Sequence, residues 1–175
     1  MFSLLTMLES ANVTSAIDDL ASFFAMPNYT IQPATIRTLQ ATAPSKKDRI
    51  LYRVLFADSE AELDRILARC SLNSTLSGTS GKHTSPRCTS WTAHVDAAMN
   101  VIQDYSESSD FEYAVIVKSK IKAADIVFDS TDSESEILRN LLREVPSLRR
   151  SITRQREVVV RPGTYDIQIV EVVTD

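Results

Sequence analysis

Glycine is nearly missing from this chain: among 175 residues there are three, Gly78, Gly81 and Gly163. A backbone phosphate cradle of the Rossmann or P-loop kind needs several glycines at fixed spacing beside a strand, so neither can be assembled. Any nucleotide bound here must be held chiefly by side chains. Cysteine and histidine are scarcer still, two of each, and Cys70, Cys88, His83 and His94 lack metal-ligand spacing, so no metal site is expected. The cysteines flank a polar stretch in a chain without secretory features, which favours free thiols in a reducing, cytoplasmic compartment over a disulfide. No apolar run approaches the roughly 20 residues of a membrane span, and no membrane partner is expected. The opening MFSLLTML is apolar but short, with no basic segment before it and no clear small-residue cleavage site after it. It reads as a helix packed on the core.

What is present is ordinary globular composition, 43% hydrophobic and 24% charged, in a length that suits one domain over residues 1–175. The part up to residue 48 is expected to be helical and then irregular. VTSAIDDLASFFA (13–25) has an apolar stripe at helical spacing, and a proline-punctuated stretch follows it. RILYRVLFA (49–57) reads as a buried strand and DSEAELDRILARC as a short amphipathic helix with acids in its first turn. SLNSTLSGTSGKHTSP is half Ser and Thr and lacks acids, so a mobile loop is expected over 71–88. Beyond it come CTSWT, the helix AHVDAAMNVIQDY, the strands FEYAVIVKSKI and ADIVFD, the capped helix SESEILRNLLREV, and two final strands, REVVVR and TYDIQIVEVV, joined by PG. The pattern is mixed α/β and strand-rich.

Three features carry potential chemistry. Arg53 lies in the middle of a strand that reads as buried, and an unpaired buried charge costs several kcal/mol, so it requires an anionic partner. That partner is either an internal carboxylate or a bound phosphate, which the guanidinium fork suits. The formal net charge of −4 gives no global attraction to nucleic acid. Locally, however, Arg143, Arg149, Arg150, Arg154, Arg156 and Arg161 face only Glu144 and Glu157, which reads either as a solvated face or as a docking surface for an acidic or phosphate-bearing partner. Finally, Gln155 and Glu157 stand at the mouth of a β-branched run, where charges are normally kept out of a sheet. In an extended chain both would point to the same face as Val159.

Taken together, LYRVL around Arg53, TSWT around Ser90, and QREVVVRPGTYDIQIVEV around Glu157 resemble the motifs of mono-ADP-ribosyltransferases of the Arg-Ser-Glu class with a Gln-x-Glu pair. The similarity runs from about residue 49 to the end. It implies an α+β fold of two packed, mainly antiparallel sheets in a split sandwich with flanking helices, NAD as the substrate held in the cleft between the sheets, and no metal. Arg53 would pair with the pyrophosphate, and Ser90 would hydrogen-bond the carboxylate of Glu157. Trp91 and Thr92 complete the motif at the cofactor site, Thr92 packing the strand end. Tyr52 stands beside Arg53 on the opposite face. Glu157 would accept a hydrogen bond from the nicotinamide ribose and stabilise the cation formed as the glycosidic bond breaks.

Gln155 would orient the nucleophile. Family members that modify arginine usually carry Glu there, so the acceptor implied is another protein side chain, or RNA or DNA. The acceptor loop would be 145–154, with Arg149, Arg150 and Arg154 binding the target. Two departures bear on cofactor geometry: Val54 stands where a glycine often follows the motif arginine, and the segment before TSWT is long and polar. The other readings of the same residues are an NAD glycohydrolase and an inactive module whose arginines dock an acidic partner. A toxin, a phage weapon and a host regulator all fit.

Overall fold

The computed structural model of the chain describes residues 4–26, 28–71, 80–107 and 111–174. In chain order the elements are α1 (Leu4–Ala25), α2 (Pro33–Thr42), β1 (Arg49–Ala57), α3 (Glu60–Ser71), β2 (Ser80–Ser85), β3 (Thr89–Thr92) and α4 (Val95–Ser106). They continue with β4 (Tyr113–Ile121), β5 (Ile126–Asp129), α5 (Glu136–Glu144), α6 (Arg149–Gln155), β6 (Glu157–Val160) and β7 (Gly163–Thr174). Among the described residues, no helix is long and apolar enough to cross a membrane.

The strands form one seven-stranded sheet in the order β2-β7-β4-β1-β3-β6-β5, antiparallel throughout. The fold is therefore α+β, but the two separate packed sheets expected from the sequence are a single sheet. Its seam is thin. β1 pairs with β4 along its whole length, from Arg49 opposite Ile121 to Ala57 opposite Tyr113, and all of β3 pairs with β6. Between β1 and β3 one pair alone stands in register, Tyr52 with Thr92. Four strands and three strands thus meet along a line that is barely stitched, and this line positions the site.

Burial explains why the elements sit where they do. Alternation along β1 sends Leu51 and Leu55 into a cluster with Trp91, Val117, Val158 and Ile167, roofed by Leu63 and Ile66 of α3. Tyr52, Val54 and Phe56 pack the other way, against Ala98 and Ile102 of α4. A third cluster joins Leu20 of α1, Leu39 of α2, Leu141 of α5 and Ile152 of α6 to Val159. β6 is consequently buried on both faces, and all four of its residues, Glu157 included, are shielded from water.

Several local expectations are revised. The proline-punctuated stretch after α1 contains the helix α2, because Pro33 sits in its first turn, where its missing N–H costs nothing. Of the loop expected over 71–88, residues 72–79 lie outside the described residues, while Ser80–Ser85 is an edge strand paired with Gly163–Gln168 of β7. Thr84, part of the composition that suggested a loop, serves there as a cross-strand partner, its hydroxyl bonded to that of Thr164. The acceptor loop expected over 145–154 is helical, a 3-10 turn (Pro146–Leu148) running into α6. Cys88 is buried with a free thiol, pushed up to about 11 by burial and then by Asp19. Gly163 has its own reason: the Tyr165 hydroxyl folds back to donate to the Arg161 carbonyl at 2.8 Å, and a Cβ on residue 163 would meet that hydroxyl at 2.8 Å.

The N-terminal helices are pinned by one carboxylate. Asp19 on α1 is buried and accepts hydrogen bonds from the Tyr29 hydroxyl and from the Gln32 N–H that opens α2. Burial alone would raise its pKa; the hydrogen bonds from Tyr29, Thr35 and Gln32 outweigh it and hold the carboxyl below its ordinary value. Asp19→Ala should cost about 2 kcal/mol of stability at pH 7 in urea unfolding. A carboxyl lowered on folding stabilises above its unfolded pKa, so the difference between wild type and variant should shrink as pH falls through the lowered value.

Candidate active site

Where β1 and β3 part beyond Tyr52 and Thr92, a cleft of about 680 Å³ opens, within the range of pockets that hold nucleotide-sized ligands. Its lining brings together residues from well-separated parts of the chain. Tyr52 and Arg53 come from β1, Ser90, Trp91 and Thr92 from β3, Gln155 from the end of α6 and Glu157 from the start of β6. Phe23 and Tyr29 of the N-terminal segment and Arg87, just ahead of β3, wall its other side.

Arg53 substitutes for the missing backbone ladder. Its Nη1 donates to the Ser90 carbonyl at 2.9 Å, spanning the gap the strands leave, while its Nε is shielded and has no hydrogen-bond partner. Burial lowers its pKa to about 10, with the charge of Glu157 opposing the shift. Glu157 is the reciprocal case. Its residue is 8% exposed, and its Oε2 is buried without a partner. Burial lifts the carboxyl to about 7, and Arg53 only moderates the rise. The two charges influence one another, yet no ion pair joins them. A buried carboxylate and a buried guanidinium, each with an orphaned atom beside a cleft, make this the candidate functional site, because structural ion pairs are normally closed.

Serine and glutamine differ from expectation in their partners. Ser90 shares a sheet face with Thr92 and Glu157, since Thr92 stands opposite Glu157 and Ser90 opposite Val159. No hydrogen bond joins its hydroxyl to Glu157, however; the Ser90 group in use is its carbonyl. Gln155 is not in a strand. It ends α6, and Arg156 follows in the left-handed conformation (φ 49°, ψ 52°) before β6 begins. That single αL residue reverses the chain, so Gln155 and Glu157 reach one cleft by a helix-cap turn and not by strand alternation. The Gln155 amide donates to Asp104 of α4 at 2.9 Å.

The remaining motif residues are structural as well as cleft-lining. Trp91 is buried among apolar neighbours, with its indole N–H donating to Thr89 Oγ1 at 2.9 Å. The buried Thr92 hydroxyl donates to the His94 carbonyl at 2.9 Å, tying β3 to the start of α4, and His94 itself is exposed. Tyr52, half-buried, packs beside α4 as its strand position implies.

The arginines divide. Arg149 and Arg150 are exposed at the start of α6, outside the cleft lining. Arg154 is half-buried and engaged inside the protein, with Nη1 to Asp104 at 2.6 Å and Nη2 to Gln103 Oε1 at 2.8 Å. Asp104, which holds both Arg154 and Gln155, went unnoticed in the sequence because it sits among ordinary helix-face polar residues. Arg87 was equally invisible: it falls in the stretch that reads as a mobile loop over 71–88, though its Nη1 donates to the Asn28 carbonyl at 2.6 Å across the cleft wall. Among the described residues no group of His, Cys, Asp or Glu is arranged to hold a metal ion. No family model, curated protein or solved structure matches this chain.

The buried carboxyl has a measurable cost. A pKa raised on folding stabilises fully below the unfolded value and is lost as pH rises through the folded value, here from about 4.5 to about 7. Glu157→Gln should therefore be more stable than wild type by about 2–3 kcal/mol at pH 8, and the gain should vanish near pH 4, as read from denaturant midpoints across pH.

Proposed function

We propose that the chain is an NAD-dependent mono-ADP-ribosyltransferase, with an ADP-ribosyltransferase-like arrangement of its split sheet. One observation carries the reading: Arg53, Ser90, Gln155 and Glu157, far apart in sequence, open onto a single cleft in which the carboxylate is buried and unpaired. The donor set fits the dinucleotide. Arg53 supplies the cation for a pyrophosphate that a glycine loop would otherwise cradle, and Arg87 adds a second at the cleft wall.

The chemistry asks for what Glu157 offers. Breaking the bond between ribose C1′ and the pyridinium nitrogen returns the bonding pair to that nitrogen, releases neutral nicotinamide and leaves an oxocarbenium-like ribose. A fixed anion in a low-dielectric site interacts more strongly with that cation than with the ground state, which lowers the barrier. The acceptor then bonds C1′ and sheds a proton, and a carboxylate with a pKa near 7 is suited to take it. Gln155 cannot take a proton; with its NH₂ group donated to Asp104, its carbonyl oxygen is left to accept from the incoming nucleophile. The acceptor is therefore an N–H, O–H or S–H group other than guanidinium, on a protein or on RNA or DNA, with the exposed Arg149 and Arg150 on the docking side.

The test is incubation with labelled NAD, alone and with cell lysate, followed by protease or nuclease. Transfer of label supports the proposal, and the sensitive digestion identifies the acceptor. Free nicotinamide without transfer makes the protein a glycohydrolase, and no turnover makes it a binding module. Glu157→Gln should lower nicotinamide release by about 10²- to 10³-fold. In wild type kcat/KM should rise with pH through about 7 and level off above it, because the ionised form is the active one. Gln155→Ala and Asp104→Asn should reduce transfer several-fold more than hydrolysis; equal losses would remove the positioning role.

A further inference from the structure

Arg53 opens onto a second hollow of about 340 Å³, distinct from the cleft and set between α3, β2 and β1. Its polar lining is Arg53, Arg69 from the last turn of α3, Lys82 and His83 from β2, and Glu62. Three cations therefore face one carboxylate, and that carboxylate is already engaged, accepting from the Asp58 N–H at 3.2 Å. Two nitrogens here, Arg53 Nε and His83 Nε2, are shielded from solvent without a hydrogen-bond partner. His83 is held in place by its strand pairing with Tyr165 and by edge contact with Trp91 at 6.0 Å between centroids. A buried polar nitrogen without a partner costs on the order of 1–3 kcal/mol. A guanidinium N–H and an imidazole nitrogen orphaned beside an excess of positive charge would both be satisfied by an acceptor carrying negative charge, the imidazole on taking up a proton.

We propose that this hollow is an anion subsite that takes a phosphate group, free or on a small ester. The ligand would accept from Arg53 Nε and from His83 Nε2 in its protonated form, with Arg69 and Lys82 closing over it from the exposed side. The volume exceeds what a lone phosphate needs, which leaves room for a small ester. Because the Arg53 guanidinium belongs to both hollows, an anion at its Nε competes for the charge that Nη1 presents at the cleft, so occupancy behind the strand weakens anion binding in front of it. Without an anion, burial and the charges of Arg53 and Arg69 push His83 down to about 4. A bound phosphate reverses the sign of that field.

The experiment titrates inorganic phosphate and, separately, ribose 5-phosphate at matched ionic strength, reading thermal unfolding and the His83 ring resonances. Wild type should show a saturable rise of about 2–4 °C in Tm and an increase in the His83 pKa. Arg69→Gln combined with Lys82→Gln, both exposed positions, should weaken the effect roughly tenfold or more, while Arg87→Gln in the cleft wall should leave it intact. The compound acting at the lower concentration identifies the source of the phosphate. An unchanged response in the double variant, a response abolished by Arg87→Gln, or no shift of the His83 pKa would overturn the site. No NAD is used, so this result is independent of the transferase reading.

Discussion

A single side chain-to-backbone hydrogen bond, from the Arg53 guanidinium to the Ser90 carbonyl, bridges the place where the sheet stops being a sheet. Continuous pairing of β1 with β3 would satisfy every backbone group at the seam and would leave no cleft. The register instead ends after one pair, and the open carbonyl is met by a charged donor that also carries a formal charge into the interior. Cleft, cation and exposed acceptor edge are thus consequences of one interruption. The four-stranded and three-stranded halves need no separate cores to create it, because the clusters on either face of the sheet run up to the seam from both sides.

The interruption sets the electrostatics of what lies beside it. β6 is sandwiched between helices on one face and the Trp91 cluster on the other, so the first residue of that strand enters the interior whatever its identity. A carboxylate there is poorly solvated, and a guanidinium close enough to feel it but not to pair with it leaves both charges under tension. The same fold is stable because Leu20, Leu51, Trp91, Leu141 and their neighbours are fully packed, which leaves margin for two uncompensated groups at one spot. Arg156 adds to that tension, since a residue with a Cβ in the left-handed region is strained by about 1 kcal/mol. Its reward is a turn tight enough to set a helix terminus and a strand start on one wall.

Much of this was legible beforehand, and for identifiable reasons. β1 is legible at its observed boundaries because its apolar and aromatic run, Arg53 apart, has no other stable home. α5 is legible as a helix, though its ends are not, because its cap, apolar stripe and terminating proline agree. The convergence of Arg53, Ser90, Gln155 and Glu157 followed from motif resemblance, with spacing alone silent about it. The misreadings share a cause. The segment over 80–85 looked like a loop because Ser, Thr and Gly are neutral between loop and edge strand, and the partner that decides, β7, lies some 80 residues away. Gln155 was placed on a strand because a helix ending in a left-handed arginine has no signal in a propensity scale.

The chain by itself determined what must be buried and which charged groups it carries: a glycine-poor sequence with a mid-strand arginine and a strand-opening glutamate has to hold charge by side chains. Those are local facts, set by composition and by the period of a strand. Tertiary structure alone decided the partners: Ser90 offering its carbonyl and not its hydroxyl, Asp104 steadying Gln155, Arg154 turned inward, His83 facing a hollow shared with Arg53. Such pairings depend on distances across the sheet and between helices. Those distances arise only when non-local packing closes the chain, and no window of sequence contains both members of the pair.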